Sequence, residues 1–363
     1  MRRALAALRS WTTSVPLAAA VLLAAVWGSH PGVFLAVVVA VALAGAVLAA
    51  VHHAEVVAHR VGEPFGSLVL AVAVTVIEVG LIVTLMVSGG PETASLARDT
   101  VFAAAMITMN GILGLCLIVG AVRARLAVFN AEGTGAALAT VATLATTCLV
   151  LPTFTTSRPG PEFSPAQLTF AAVVSLLLYG LFVVTQTVRH RDFFLPVETD
   201  AAHPNAHAAP PSDRTAMVSV GLLLVALVGV VGLAKVESKS IEDGVAAIGL
   251  PHSFVGVVIA LLVLLPETIA AVRAALRNQI QVSLNLALGS AMASIGLTIP
   301  TIAVASIWLE GPLLLGLGST QMVLLALTVV VGVLTVVPGR ATRLHGGVHL
   351  VLLAAFVFLA INP

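Results

Sequence analysis

Charge is sparse in this chain: Asp, Glu, Lys and Arg together supply 9% of its 363 residues. Aromatic residues are scarcer still at 5%, with a single tyrosine, and there are two cysteines. So little charge excludes a water-soluble globular protein of this size, whose surface would need far more polar cover. A formal net charge of +1 leaves no basic footprint for nucleic acid. Cys116 and Cys148 both sit in apolar runs and form no disulfide framework. They read as small core residues rather than metal ligands.

Hydrophobic residues are abundant instead, at 59%, and mean hydropathy is +1.11. The apolar runs are continuous over about 17–25 residues and do not alternate, which fits membrane helices and excludes a β-barrel. The fold class is therefore an all-α polytopic membrane protein. Eleven spans are predicted, near 14–29, 32–51, 65–87, 100–122, 134–155, 166–188, 215–235, 253–275, 283–308, 315–337 and 345–361. Trp11, Trp27 and Trp308 fall at span ends, where interfacial anchors belong. Arg2, Arg3 and Arg9 before a short apolar run also suit a signal peptide, but no small-x-small cleavage site follows, so a retained helix is expected.

Lys and Arg placement sets orientation. With the N-terminus inside, 13 of the 17 basic residues fall on cytoplasmic segments and 4 (Arg98, Arg158, Lys235 and Lys239) outside. The expectation is N-terminus in, C-terminus out. Arg273, six residues past Glu267, reads as one of the inside charges, snorkelling to the interface.

Two glutamates, Glu78 and Glu267, stand alone in apolar stretches, each about 14 residues past the predicted start of its helix. That depth is ~20 Å into a hydrocarbon core of ~30 Å. An ionisable group there costs several kcal/mol unless it is partnered, so it marks a site for ions or protons. Superposing the two at an offset of 189 lays Phe65 on Phe254 and the run from Leu68 to Val79 on that from Val257 to Thr268. Each is followed by a helix with small, amide and hydroxyl residues, around Asn110 in one case and from Asn285 to Ser294 in the other. The matching spans are the third and eighth. An odd separation means opposite entry into the membrane, so spans 2–6 and 7–11 read as inverted five-helix repeats behind one extra helix. The resulting division is 1–31 for the N-terminal segment and extra helix, 32–188 for the first repeat, 189–214 for a cytoplasmic polar linker and 215–363 for the second repeat.

Carboxylates among hydroxyls, amides and freed carbonyls suit a hard cation such as Ca²⁺, which takes 6–8 oxygens at ~2.3–2.6 Å. Pro266 removes an amide donor just before Glu267, and Gly80 is expected to loosen the helix after Glu78. Asn110 and Ser290 match as further oxygen ligands, with Ser294, Asn285 and Thr75 behind them. Two carboxylates in low dielectric cannot easily both stay ionised without a cation. The pair should therefore hold one Ca²⁺ or two protons, which predicts an exchanger. Ca²⁺ is then cargo, and no cofactor is expected.

Two polar clusters lie elsewhere. His52, Glu55 and His59 share a helical face before the third span, with Glu63 following, and suggest a cytoplasmic cation-collecting or pH-sensing vestibule, or simply a wet juxtamembrane face. The linker carries His190, His203, His207, Asp192, Glu198, Asp200 and Asp213 among four prolines. It suits a regulatory cation site less well than a solvated connection.

The stretches 62–78, 110–117, 265–275 and 283–300 closely resemble the two α-repeats of the ChaA-type bacterial Ca²⁺/H⁺ antiporters of the calcium/cation antiporter (sodium/calcium exchanger-like) superfamily. The resemblance spans the second to the eleventh helix. It implies a one-plus-ten topology, residence in a bacterial cytoplasmic membrane, and Ca²⁺ and H⁺ carriage on Glu78 and Glu267, with the second-helix polar positions on Asn110 and Ser290. Exchangers from vacuoles usually carry Gly-Asn-Ala-x-Glu; here Val74-Thr75 and Val263-Leu264 replace the Gly-Asn pairs. Thr75 substitutes for a lost ligand on one side only, which keeps Na⁺ or K⁺ against H⁺ as an alternative exchange. His-Glu-x-x-His, Gly-x-Gly-Asp and Gly-x-Ser-x-Gly are all absent, so no intramembrane enzyme is expected. A cation channel is the remaining rival.

Overall fold

The structure, a computed structural model, describes residues 10–29, 32–62, 65–89, 93–197, 211–247, 249–251, 253–308 and 311–362. Glu63, Glu198, Asp200, His203 and His207 lie outside the described residues.

Among the described residues eleven long helices follow one another: α1 Trp11–Val26, α2 Val33–Val61, α3 Phe65–Gly89, α4 Leu96–Ala124, α5 Ala131–Phe154, α6 Pro165–Arg189, α7 Asp213–Ala247, α8 Phe254–Leu276, α9 Ile280–Ala305, α10 Ser319–Val336 and α11 Arg343–Ile361. They match the predicted spans one for one. Among the described residues, nine are long and apolar enough to cross a bilayer, and α1 and the stretch Val72–Val87 of α3 are shorter apolar helices. Two outrun their predicted ends. α2 has 29 residues and α7 has 35, about 43 and 52 Å at ~1.5 Å per residue, against a hydrocarbon core of ~30 Å. Both extra lengths lie at C-terminal ends, where Glu55, His59, Lys235 and Lys239 are exposed while the backbone continues its own hydrogen bonding.

The helices fall into two compact units. The first comprises Met1–Thr93 and Ala206–Val255, with α1, α2, α3 and α7. Here α2 packs on α7, the first helix of one repeat on the first helix of the other, and α1 and α3 each lie against both. Small residues allow the close crossing. Ala46, Ala49, Ala50 and Ala54 of α2 are fully buried, and Gly232 of α7 receives Leu23 of α1. Gly80 belongs to the same set. A Cβ there would lie 2.8 Å from Val231 Cγ2. α3 runs unbroken through it, so Gly80 admits a neighbouring helix rather than loosening its own.

The second unit comprises Ala94–Asn205 and Gly256–Pro363, and its contacts come in equivalent pairs. α4 packs on α11, and α9, its counterpart in the second repeat, packs on α6, the counterpart of α11. The loops pair in the same way. β1 (Ala127–Val128), after α4, lies antiparallel to β2 (Arg340–Ala341), before α11. Leu314, after α9, forms an antiparallel bridge with Glu162, before α6. This doubled arrangement is what two inverted five-helix repeats produce, and α1 is the extra helix.

Both helix crossings use glycine. A Cβ on Gly346 of α11 would come within 2.6 Å of the Gly114 carbonyl oxygen of α4, and one on Gly296 of α9 within 2.9 Å of Tyr179 Cβ of α6. Irregular backbone occurs as π-turns at Ile107–Ile112 in α4, Thr146–Val150 in α5 and Thr185–Arg189 at the end of α6. α8 is helical through Pro266.

Candidate functional site

In the first unit, α3 carries Thr75 and Glu78 one turn apart, with side chains 6% and 4% exposed. Their neighbours along α3, Ala73, Ile77, Val79, Leu81 and Ile82, are apolar and buried as well. A carboxylate so enclosed needs a proton, a hydrogen bond or a cation to offset its lost hydration.

The vestibule residues lie at the far end of α2 in the same unit. His53 Nε2 is 2.9 Å from the Thr12 carbonyl oxygen, and the His52 ring lies 5.8 Å from Trp11. These contacts hold the start of α1 against α2. Glu55 and His59 are exposed. Arg60 Nε donates to Asp213 Oδ1 at 2.8 Å, so one of the linker acids instead ties the end of α2 to the start of α7. Among the described residues, no three His, Cys, Asp or Glu side chains are grouped to hold a metal ion.

The second unit contains Glu267, Asn110, Ser290, Ser294 and Asn285. Glu267 follows Pro266 on α8, and Thr268 Oγ1 donates to the Leu264 carbonyl at 2.7 Å. That bond lies on the turn where proline has already interrupted the amide ladder. Ser283 Oγ of α9 donates to the Ala271 carbonyl at 2.8 Å, fixing α8 to α9 one turn after Glu267. Ser290 is half-buried and Ser294 is 4% exposed.

Asn285 has a tethering role. Its Nδ2 donates to the Phe194 carbonyl at 2.7 Å, and its Oδ1 accepts from Gln281 Nε2 at 2.9 Å. Gln281, 1% exposed, also accepts from the Asn130 backbone amide at 2.7 Å. Two amide side chains on α9 thus secure the 3₁₀ turn Arg191–Phe194 and the start of α5. His190 stacks on Phe193 in this turn with ring centroids 5.0 Å apart.

Asn110 is fully buried inside the π-turn of α4. π-turns inside α-helices concentrate at functional positions because they re-aim a side chain. Here the carboxamide meets α10 and α11. Its Nδ2 donates to Thr328 Oγ1 at 2.9 Å, and its Oδ1 lies 3.0 Å from His349 Nδ1. His349, 1% exposed, was missed in the sequence reading, although a lone histidine in the apolar run of α11 is the same type of signal as a lone glutamate. Glu237 on α7 is a further buried acid, 4% exposed, that the sequence reading passed over.

Comparison with known proteins bears on what such a scaffold is. The family pattern described as sodium/calcium exchanger protein matches residues 11–188 and 218–362. Over 321 residues the chain is 48% identical to y4hA of Sinorhizobium fredii, an ionic transporter by name, covering 88% of this chain and 87% of that one. It is 34% identical over 338 residues to the sodium-potassium/proton antiporter ChaA of Escherichia coli, covering 91% of both. The crystal structure of the H⁺/Ca²⁺ exchanger CAX has the same fold, with a TM-score of 0.72 at 17% identity over 96% of this chain and 86% of that one. With both repeats matched from α1 to α11, this chain is a member of the sodium/calcium exchanger family of multi-pass membrane cation exchangers.

Proposed function

We propose that this protein is a secondary active antiporter that exchanges Ca²⁺ for H⁺ across a bacterial cytoplasmic membrane, with Glu78 and Glu267 forming one midplane site. The observation that carries the reading is the pair of carboxylates at matched positions of the two repeats, Glu78 being 4% exposed among apolar neighbours. The oxygens of Asn110, Ser290, Ser294 and Thr75 complete the ligand set, while Asn285 is assigned a supporting role through its bond to Phe194. Two carboxylates are neutral as a pair with one Ca²⁺ or two protons, and costly when empty. Only loaded forms can then pass between inward- and outward-facing states, which couples the two flows. The charge bias of the loops supports the N-terminus inside and the C-terminus outside.

A second reading replaces Ca²⁺ with Na⁺ or K⁺. It is favoured by the 34% identity to an antiporter named for sodium, potassium and protons, and by Leu264 at the repeat position equivalent to Thr75, which leaves one repeat with fewer oxygens.

The test is proton flux in proteoliposomes bearing an imposed pH gradient, with Ca²⁺, Na⁺ or K⁺ added in turn. Exchange should be lost in Glu78→Gln and in Glu267→Gln, both of which should fold, since a neutral amide avoids the buried-charge cost. The cation that drives proton movement in the unsubstituted protein decides between the two readings. Cation flux that persists after the gradient is collapsed, at channel-like rates, would refute both.

A further inference from the structure

We infer that His349 is a positioning residue for the cation site: its imidazole fixes the orientation of the Asn110 carboxamide, so that one lone pair of Oδ1 is engaged and the other is left for the cargo. The inference rests on the assignment of Asn110 as a cation ligand made above.

Four polar side chains from three helices make a continuous hydrogen-bonded chain, Thr328–Asn110–His349–Thr335, inside the second unit. Asn110 and Thr328 are 0% exposed, His349 is 1% and Thr335 is 2%. Groups buried this deeply have no water to fall back on, so each bond fixes its neighbours. Met106 Sδ lies 3.8 Å from Asn110 Nδ2 and 3.7 Å from Thr328 Oγ1. A thioether can only accept, which marks the nitrogen side of the amide. The two amide hydrogens then go to Thr328 Oγ1 and Met106 Sδ, and Oδ1 faces His349 Nδ1 at 3.0 Å.

An amide oxygen can only accept, so His349 Nδ1 carries a hydrogen and donates it. In the neutral ring Nε2 must then accept, and Thr335 Oγ1, at 3.2 Å, is its donor. One tautomer thus satisfies both of these side-chain contacts without a formal charge. The backbone reinforces the arrangement. Gly346 and Gly114 bring α11 and α4 so close that an added Cβ on Gly114 would meet His349 Cβ at 2.9 Å. His349 therefore has little room to swing, and the π-turn brings Asn110 to it.

The role is the one that outer partners have around metal ligands generally: a hydrogen bond from behind fixes the ligand atom and its electron density. Loss of such a partner typically lowers cation affinity by about 10–100-fold. Histidine also allows a specific substitution test. Asparagine can place an N–H where Nδ1 stands, because both atoms are bonded to Cγ. Glutamine can place one only where Nε2 stands, against Thr335.

The experiment is cation-driven proton flux in proteoliposomes for His349→Asn, His349→Gln and His349→Leu, using whichever of Ca²⁺, Na⁺ or K⁺ drives flux in the unsubstituted protein. KM for the cation should rise about tenfold or more in the Gln and Leu variants, while kcat changes less. The Asn variant should stay within about threefold of the original KM, a rescue that a purely space-filling role would not give. The inference is overturned if KM is unchanged in folded His349→Gln, or if Asn and Gln raise KM equally. Glu78→Gln and Glu267→Gln, measured in parallel, separate the two levels. If both retain exchange, the two-glutamate reading fails; if both abolish it while His349→Gln behaves like the unsubstituted protein, only the positioning inference fails.

Discussion

α4 and α9 hold equivalent places in the two repeats, yet they use their polar residues differently. α4 carries a π-turn, is the more deeply buried of the two, and directs its amide, Asn110, to His349 and Thr328. α9 is a regular helix, and its amides, Gln281 and Asn285, hold the start of α5 and the Arg191–Phe194 turn. The helix pairings and loop bridges are duplicated, whereas the polar chemistry is not. Duplication fixes a scaffold. It leaves each copy free to specialise, so the oxygens of the proposed site come from unlike surroundings.

Substitutions at matched places can break or sharpen this comparison. The largest effect is expected at the α4–α11 crossing. An added methyl in Gly346→Ala would meet the Gly114 carbonyl oxygen at 2.6 Å and the Ile118 amide nitrogen at 3.0 Å. Backbone cannot give way as a side chain does, so the cost should be about 2–3 kcal/mol, read as a lowered thermal midpoint of the detergent-purified protein. At the matching α9–α6 crossing, Gly296→Ala would meet Tyr179 Cβ and ring atoms. A smaller loss, about 1–2 kcal/mol, is expected there because the tyrosine can shift. A larger loss at Gly296 than at Gly346 would reverse the ranking of the two crossings.

Next comes Asn285→Ala, which strands the Phe194 carbonyl and should cost about 1 kcal/mol. Increased proteolysis near residues 191–194 would report it, and exchange should survive. The smallest effect is at Gly289 of α9, where nothing lies within 4 Å of an added Cβ. Gly289→Ala should leave exchange intact and raise stability by up to about 1 kcal/mol through helix propensity alone. Loss of transport there would mean that α9 must flex at Gly289.

Hydropathy located every membrane helix because it reads the thickness of the bilayer. For the same reason it stopped short on α2 and α7, whose helical hydrogen bonding continues past the apolar boundary to Val61 and Ala247. Glu78 and Glu267 were legible because charge in an apolar run is rare. His349 was just as visible, between Val348 and Leu350, but its partner is 239 residues away and no local spacing joins them. The π-turn at Asn110 depends on hydrogen-bond register, which composition does not record. Proline and glycine suggested irregular backbone near the glutamates, yet α3 and α8 remain helical there, and Gly80 is explained by its approach to Val231.

The central claim is that one pair of carboxylates holds either a cation or protons. Calorimetric titration of Ca²⁺ or Na⁺ into the detergent-solubilised protein, repeated in buffers of different ionisation enthalpy, counts the protons released on binding. The account predicts proton release on cation binding in the unsubstituted protein, and its disappearance in both Glu78→Gln and Glu267→Gln. Tight cation binding with no proton release, or release that survives both substitutions, would contradict it.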